Sequence, residues 1–295
     1  MNSVPKGKLL ALVAALLALA LAAVALVLVL ADVATTSTGL TNGAQQIASP
    51  PAGAGGQDKR LPDLGRTLAT DSALYRTGRL ADVNCSPGEL PAQSITAYRR
   101  FLTRVTNCLN KAWGLQFRKA GLTFAKPRLR IISRQVPTPC GAWNAGADGV
   151  YCSTDRTIYM MIGKDQLRNP FPLGISRLVA HEYGHHIQQI SGIWGYYWAA
   201  RTGADKARRL QLSRNSELQA ECLSAVFMST MKGTPLVTDS DWAYTVDWFR
   251  KNGAKGWPQN DHGKGATQAA WMTRGFNRGG PGACNTWAAS PRSTR

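Results

Sequence analysis

A long apolar run near the N-terminus sets the topology that the rest of the chain must follow. The run extends from Leu9 to Ala31, and Lys6 and Lys8 precede it. It is long enough to cross a hydrocarbon core as a helix, which takes ~20 residues, and longer than the apolar region of an ordinary signal peptide. The lysines predict a cytoplasmic N-terminus over residues 1–8, and therefore a single-pass signal anchor in the cell membrane with everything after it extracytoplasmic. Cleavage within residues 31–34, giving a secreted protein, is the alternative.

The segment after this run has the composition of a tether. Residues 32–72 are rich in Thr, Ser, Gly, Ala and Pro and contain few large apolar side chains. Such a stretch buries too little apolar surface to offset its conformational entropy, so we predict a disordered linker there. The remaining residues, 73–295, are numerous enough to bury a core and are predicted to form the globular domain.

The chain is strongly basic, with a net charge of +18. In an exported protein such a surface suits anionic partners, namely lipid headgroups or acidic wall polymers, and a merely solvated surface is the alternative. The charge is dispersed and carries no recognisable nucleic-acid-binding motif, so we expect no nucleic acid partner.

Six cysteines form an even set in a chain predicted to be exported, which favours three disulfides. No two of them form a CxxC pair, so a cysteine-based zinc site is not expected. Sequence allows about 15 connectivities. Proximity along the chain favours the pairs Cys85–Cys108 and Cys140–Cys152, which would leave Cys222–Cys284.

Apolar periodicity predicts an α+β domain that is mainly helical, with a small sheet. Strands are predicted at residues 128–133 and 157–162, separated by a loop over residues 136–150 that is rich in Pro, Gly and Asn. The predicted helices cover residues 93–113, 176–191, 215–231, 239–251 and 266–277. For the third of these, Asn215 or Ser216 is the expected N-cap and Gly233 the stop signal.

The segment from His181 to His185 reads HEYGH and fits the pattern HExxH. Two histidines four residues apart lie on one face of a helix, so both rings can reach one metal ion. Glu182, next to the first histidine, can reach a water bound to that ion. The alternative is a pair of ordinary core or surface histidines.

A catalytic zinc needs a third protein ligand, and a second predicted helix offers two carboxylates, Glu217 and Glu221. Because they are four residues apart, one could bind the metal while the other accepts a hydrogen bond from a histidine ligand. Ordinary surface charges are the alternative interpretation.

Two histidines remain. His186 lies about 100° around the helix from His185, which favours a neighbour of the site over a ligand. His262 lies in the turn-like sequence NDHG. It could stabilise an oxyanion or relay a proton near the zinc, or it could be a simple loop residue.

The chain from about Leu74 onward resembles the bacterial family of neutral zinc metallopeptidases. The resemblance rests on the order of separate pieces: LYRTG, PCG…YC, HEYGHHIQ, ELQAEC, and HGKGATQAAWMTRGF…GACNTW. The family is similar to the gluzincins, which implies that Glu217 is the third ligand. Glu221 then stands where the family usually has an aspartate, and the recurrence of the histidine of HG favours a site role for His262.

The resemblance implies a zinc metalloendopeptidase acting on protein or peptide substrates, which the apolar run over residues 9–31 would anchor in the membrane. One zinc ion per chain, held by His181, His185 and Glu217, would lower the pKa of a bound water towards about 7. Glu182 would take the proton and pass it to the leaving nitrogen, and His262 would stabilise the oxyanion. The alternative is a cell-surface protein that keeps the metal but only binds wall polymer or anionic lipid.

Overall fold

The computed structural model describes residues 60–143 and 146–295. The predicted anchor helix over residues 9–31 and most of the predicted linker lie outside these residues. Within the described ranges, no helix combines the length and the apolar character needed to cross a bilayer. The helices are α1 (Arg60–Thr70), α2 (Ile95–Lys119), α3 (Lys164–Arg168), α4 (Pro172–Ile190), α5 (Ile193–Arg201), α6 (Lys206–Ser229), α7 (Asp239–Asn252) and α8 (Gly265–Arg278). The strands are β1 (Arg128–Ile132), β2 (Gly149–Cys152) and β3 (Thr157–Met161).

The three strands form one small mixed sheet in the order β1-β3-β2. β1 is parallel to β3, with Arg128 opposite Thr157, and β2 is antiparallel to β3, with Gly149 opposite Met160. The fold is therefore mainly helical α+β, as predicted. The first part of β2 lies within the predicted loop over residues 136–150, because four residues are too few for a visible alternation and pairing with β3 imposes the strand.

Helices α4 and α6 pack against each other in the core and carry the HExxH segment and the paired carboxylates. Gly184 lies where they meet: a Cβ atom at this position would be 2.9 Å from the Cα of Ala220. That distance is shorter than packed carbon atoms tolerate, so the contact requires glycine. The close approach brings the chemistry-bearing side chains of the two helices together.

Helix α6 begins nine residues before the predicted start, and neither Asn215 nor Ser216 is its cap. Asp205 is the N-cap, and its side chain accepts a hydrogen bond from the backbone N–H of Arg208 at 2.7 Å. The first turns of α6 are polar, so apolar periodicity did not predict them. Gly233 lies beyond the helix, which ends at Ser229.

The prediction of a linker over residues 32–72 is wrong for residues 60–70, which form α1. This helix packs against α5, and a Cβ atom at Gly65 would lie 3.5 Å from the Cα of Tyr196. Ala69 is fully buried, and its carbonyl accepts a hydrogen bond from the Tyr75 hydroxyl at 2.8 Å. These contacts are tertiary, so local composition could not reveal them.

The six cysteines form three disulfides, and their pairing is the one that chain proximity favoured. The pairs are Cys85–Cys108, Cys140–Cys152 and Cys222–Cys284. The third disulfide joins α6 to the segment after α8. Its cysteine on α6, Cys222, directly follows Glu221 in the chain. This disulfide ties the C-terminal part of the chain to the helix that carries Glu217.

Candidate metal centre

Three side chains converge where α4 and α6 meet. The Nε2 atoms of His181 and His185 lie 3.3 and 3.2 Å from Glu217 Oε2. These three donor atoms all lie within 4.8 Å of one another, and the three residues are buried. Donors that each lie about 2.0–2.1 Å from one tetrahedral ion are themselves about 3.3 Å apart. Two imidazole nitrogens and one carboxylate oxygen at this spacing fit a zinc ion.

The second carboxylate of α6 supports the first histidine. Glu221 Oε2 lies 3.1 Å from His181 Nδ1 and also accepts a hydrogen bond from Arg177. Burial alone would raise the pKa of Glu221, but Arg177 and His181 together lower it to about 2. An ionised Glu221 therefore keeps the proton of His181 on Nδ1, with Nε2 directed at Glu217.

Arg177 has a role that sequence reasoning missed. It lies on α4 one turn before His181, and its guanidinium sits 4.3 Å above the ring of Phe249 on α7. Its side chain is 11% exposed, and its partner Glu221 is 6% exposed. A basic residue four positions before the first HExxH histidine was the only available signal, and it is a weak one.

The three converging groups are electrostatically coupled. Burial acts to lower the pKa of His181, but the hydrogen bonds that its ring donates to Glu217 and Glu221 raise this pKa to about 10. Burial acts to raise the pKa of Glu217, but the charges of His262 and His185 and a hydrogen bond from His181 hold it well below its usual range. The cluster therefore stabilises a negative charge on Glu217, which is the form that binds a metal ion.

Glu182, which directly follows His181 in the HExxH segment, points toward the sheet. It is 5% exposed, and a Cβ atom at Gly149 of β2 would lie 3.2 Å from its Oε1 atom. Gly149 therefore leaves the space that the carboxylate occupies. This places the acidic group of the motif between α4 and the edge strand β2.

His262 lies beside the cluster, although it belongs to the distant connection between α7 and α8. Its Nε2 atom is 3.3 Å from Glu217 Oε2, and its Nδ1 atom is 2.8 Å from Asp261 Oδ1. Its ring stacks on Trp257, with centroids 3.6 Å apart and planes at 10°. Sequence reasoning missed Trp257 and Asp261, and the only signal for the latter was its adjacency to His262.

His186 faces away from the converging groups. Its Nδ1 atom lies 2.9 Å from the Tyr151 hydroxyl of β2, and its Nε2 atom lies 2.7 Å from the carbonyl of Ala125. Burial lowers its pKa to about 4. His186 is therefore a neutral group that ties α4 to the sheet.

The fold and this centre define an α+β protein with an HExxH helix and a downstream glutamate. The chain belongs to the family described as "Putative neutral zinc metallopeptidase", whose model matches residues 84–287. That range includes all the residues of the centre.

Two relatives show how far the similarity extends. The chain is 28% identical over 206 residues to the uncharacterized protein YpfJ of Escherichia coli strain K12, an alignment that covers 65% of this chain and 72% of the relative. It is 29% identical over 196 residues to the uncharacterized protein Rv2575 of Mycobacterium tuberculosis strain H37Rv, covering 57% of this chain and 64% of the relative. No solved structure matches the chain.

Proposed function

We propose that this protein is a zinc-dependent metalloendopeptidase that hydrolyses peptide bonds in protein or peptide substrates. His181, His185 and Glu217 would hold one zinc ion per chain. The observation that carries the proposal is the convergence of their three donor atoms within 4.8 Å, on two helices packed through Gly184. A structural zinc site would have four protein ligands, whereas three protein ligands are typical of catalytic sites.

When bound, zinc supplies Lewis acidity, which acidifies a water molecule and polarises the substrate carbonyl. Glu182 accepts the proton of the attacking water and delivers it to the leaving nitrogen. Asp261 orients the ring of His262 through Nδ1, and the opposite edge of that ring would stabilise the carbonyl oxygen that becomes negative. Glu221 contacts both Arg177 and His181, and this contact would hold His181 in place.

The test is hydrolysis of a mixture of peptides by the full chain, with zinc content measured beside it. Glu182→Gln is expected to keep zinc, because Glu182 is not one of the three ligands, and to lose nearly all turnover. A Glu182→Gln variant that turns over like the wild type would show that Glu182 is not the base.

A second candidate function is a cell-surface protein that keeps the metal, does no catalysis, and binds wall polymer or anionic lipid. One charge pattern favours it: no Asp or Glu occurs between Glu89 and Asp148. The basic side chains of this stretch are all exposed, and they are Arg99, Arg100, Arg104, Lys111, Arg118, Lys119, Lys126, Arg128, Arg130 and Arg134. Zinc-loaded wild type that hydrolyses no peptide, yet binds a soluble polyanion with strong salt dependence, would favour this function over the first.

We also propose that the domain is extracytoplasmic and held at the cell membrane by residues 9–31. The length of that apolar run supports an anchor, and the three disulfides suit an oxidising compartment. Fractionation of cells that express the full chain tests this proposal. We expect the intact chain in the membrane fraction, with the domain accessible to protease from outside, and release of a shortened chain would favour signal cleavage.

A further inference from the structure

The two histidines of the metal centre have different partners on their outer nitrogens. His181 Nδ1 faces the carboxylate of Glu221, whereas His185 Nδ1 lies 2.9 Å from the amide oxygen of Gln188. Gln188 is fully buried and lies one turn after His185 on α4. Gln188 belongs to the HEYGHHIQ stretch, but it is not one of the proposed metal ligands and takes no part in the proposed proton transfers.

The orientation of a neighbouring glutamine is fixed by an indole, a group that can only donate. Trp287 Nε1 donates to Gln219 Oε1 at 2.9 Å. The amide nitrogen of Gln219 therefore points the other way, where it donates to the carbonyl of Cys284 at 3.1 Å and to the Tyr75 hydroxyl at 2.7 Å. That carbonyl belongs to the segment tied to α6 by the Cys222–Cys284 disulfide.

Gln188 is oriented in turn by groups that can only accept. Its Nε2 atom donates to the backbone carbonyl of Ser216 at 2.8 Å and to Gln219 Oε1 at 3.0 Å. The amide oxygen of Gln188 must then face His185, because its nitrogen is fully used on the opposite side.

A second indole fixes the direction of the other hydrogen bond to the amide oxygen of Gln188. Trp194 Nε1 donates to Ser216 Oγ at 3.0 Å, which leaves the Ser216 hydroxyl proton for Gln188 Oε1 at 3.2 Å. Both neighbours of the Gln188 oxygen are therefore donors, and the donor from His185 can only be Nδ1–H.

We propose that Gln188 is a positioning residue for the metal. By accepting the hydrogen bond from Nδ1–H, it holds the proton of His185 on that nitrogen and leaves Nε2, which faces Glu217, free to bind zinc. It does so without placing another negative charge beside Glu217. The proposal rests on the proposed function only for the identity of the metal. Loss of such an outer partner lowers metal affinity by roughly 10–100-fold in zinc proteins.

The first experiment compares two adjacent glutamines in the full chain. Gln188→Met keeps the approximate size of the side chain and removes its hydrogen bonds. Gln189→Met is the matched control, because the Gln189 amide bonds the Tyr151 hydroxyl and the Ser153 carbonyl instead. In competition with a chromophoric chelator, we expect Gln188→Met to bind zinc ~10–100-fold more weakly than the wild type, and Gln189→Met to stay within about threefold. Equal affinities in both variants would overturn the proposal.

The second experiment needs no variant and so does not depend on Gln188→Met folding. The chain has four histidines, which makes ¹⁵N resonances of the rings assignable in the zinc-loaded wild type. We expect His185 to bind the metal through Nε2, with an Nδ1 proton that exchanges slowly with water. Binding through Nδ1, or fast exchange of that proton, would overturn the positioning role. A zinc-loaded protein that shows the expected resonances but cleaves no peptide would instead contradict only the proposed peptidase activity.

Discussion

Gly184 and Ala220 are in contact at the point where α4 meets α6, and they leave no room for a side chain at position 184. A Cβ atom there would lie 2.9 Å from the Cα and 3.0 Å from the carbonyl oxygen of Ala220. His185 follows this contact on one helix, and Glu217 precedes it on the other. The distance between the proposed metal ligands therefore depends on the absence of one methyl group.

Gly184→Ala is expected to separate the two helices, costing about 1–3 kcal/mol of unfolding free energy and weakening zinc binding. Gly195→Ala is the matched control. Gly195 is also helical, but a Cβ atom there would meet nothing within 4 Å, so the same change should leave stability equal or higher by up to about 1 kcal/mol. Denaturant unfolding and zinc titration of both variants provide the comparison. If Gly184→Ala behaves like Gly195→Ala, the helix contact does not set the ligand spacing.

Arg177→Met should be strongly destabilising, because it leaves the ionised carboxylate of Glu221 buried with His181 as its one remaining partner among the described residues. Removing one partner of a buried ion pair typically costs about 3–5 kcal/mol. Adding Glu221→Gln should recover most of this loss, since a neutral amide oxygen can still accept from His181 Nδ1. The double-mutant cycle, measured by chemical denaturation, gives the coupling free energy between Arg177 and Glu221. A double variant as unstable as Arg177→Met alone would mean that Arg177 acts through its packing on Phe249.

Asp261→Asn should slow catalysis and leave zinc affinity unchanged within about threefold. Asp261 and His262 are not among the three mutually close donors, so the metal keeps its ligands. The 2.8 Å hydrogen bond between Asp261 and His262 orients the His262 ring, and it becomes weaker when the Asp261 carboxylate is replaced by a neutral amide. A side chain that stabilises an oxyanion or transfers a proton contributes roughly 10²-fold to turnover. Steady-state kinetics beside a zinc titration separate the two effects. Loss of zinc in this variant would make His262 a ligand instead.

Removal of zinc by a chelator should abolish activity without unfolding the domain. Each proposed ligand also has a partner within the protein, so none would be left buried and alone without zinc. His181 Nδ1 lies 3.1 Å from Glu221, His185 Nδ1 lies 2.9 Å from Gln188, and Glu217 Oε2 lies 3.3 Å from His262 Nε2. Three disulfides and a core that does not involve the metal hold the remaining structure. Far-UV circular dichroism should be unchanged, and added zinc should restore turnover. Unfolding on chelation would indicate a structural zinc.

The parts of this fold that sequence predicted are those with a strong local signal. The apolar stripe of α2, the HExxH helix α4 and the three disulfide pairs each depend on spacing along the chain. Start positions were harder to predict, because the polar first turns of α6 and the strand β2 are fixed by contacts distant in sequence.

In the candidate metal centre, too, the residues with a local sequence signal could be predicted and those positioned by tertiary contacts could not. His181 and His185 can be predicted as ligands from their spacing. The second helix limits the third ligand to Glu217 or Glu221, and the family resemblance implies Glu217. Arg177, Gln188 and Trp257 could not be identified, because their roles depend on which side chains the fold places beside them. His186 is next to a ligand in sequence, yet its ring turns toward Tyr151 of the sheet.

The most direct test of the central claim is the metal content of the purified full chain, measured by mass spectrometry. His185→Ala and Glu217→Ala remove ligands, and His186→Gln is the control, because His186 is adjacent in sequence but faces away from the cluster. We expect about one zinc per chain in the wild type and in His186→Gln, and loss or strong weakening of zinc binding in the other two variants. A folded wild type that takes up no zinc, or a His185→Ala variant with full zinc occupancy, would contradict the central claim.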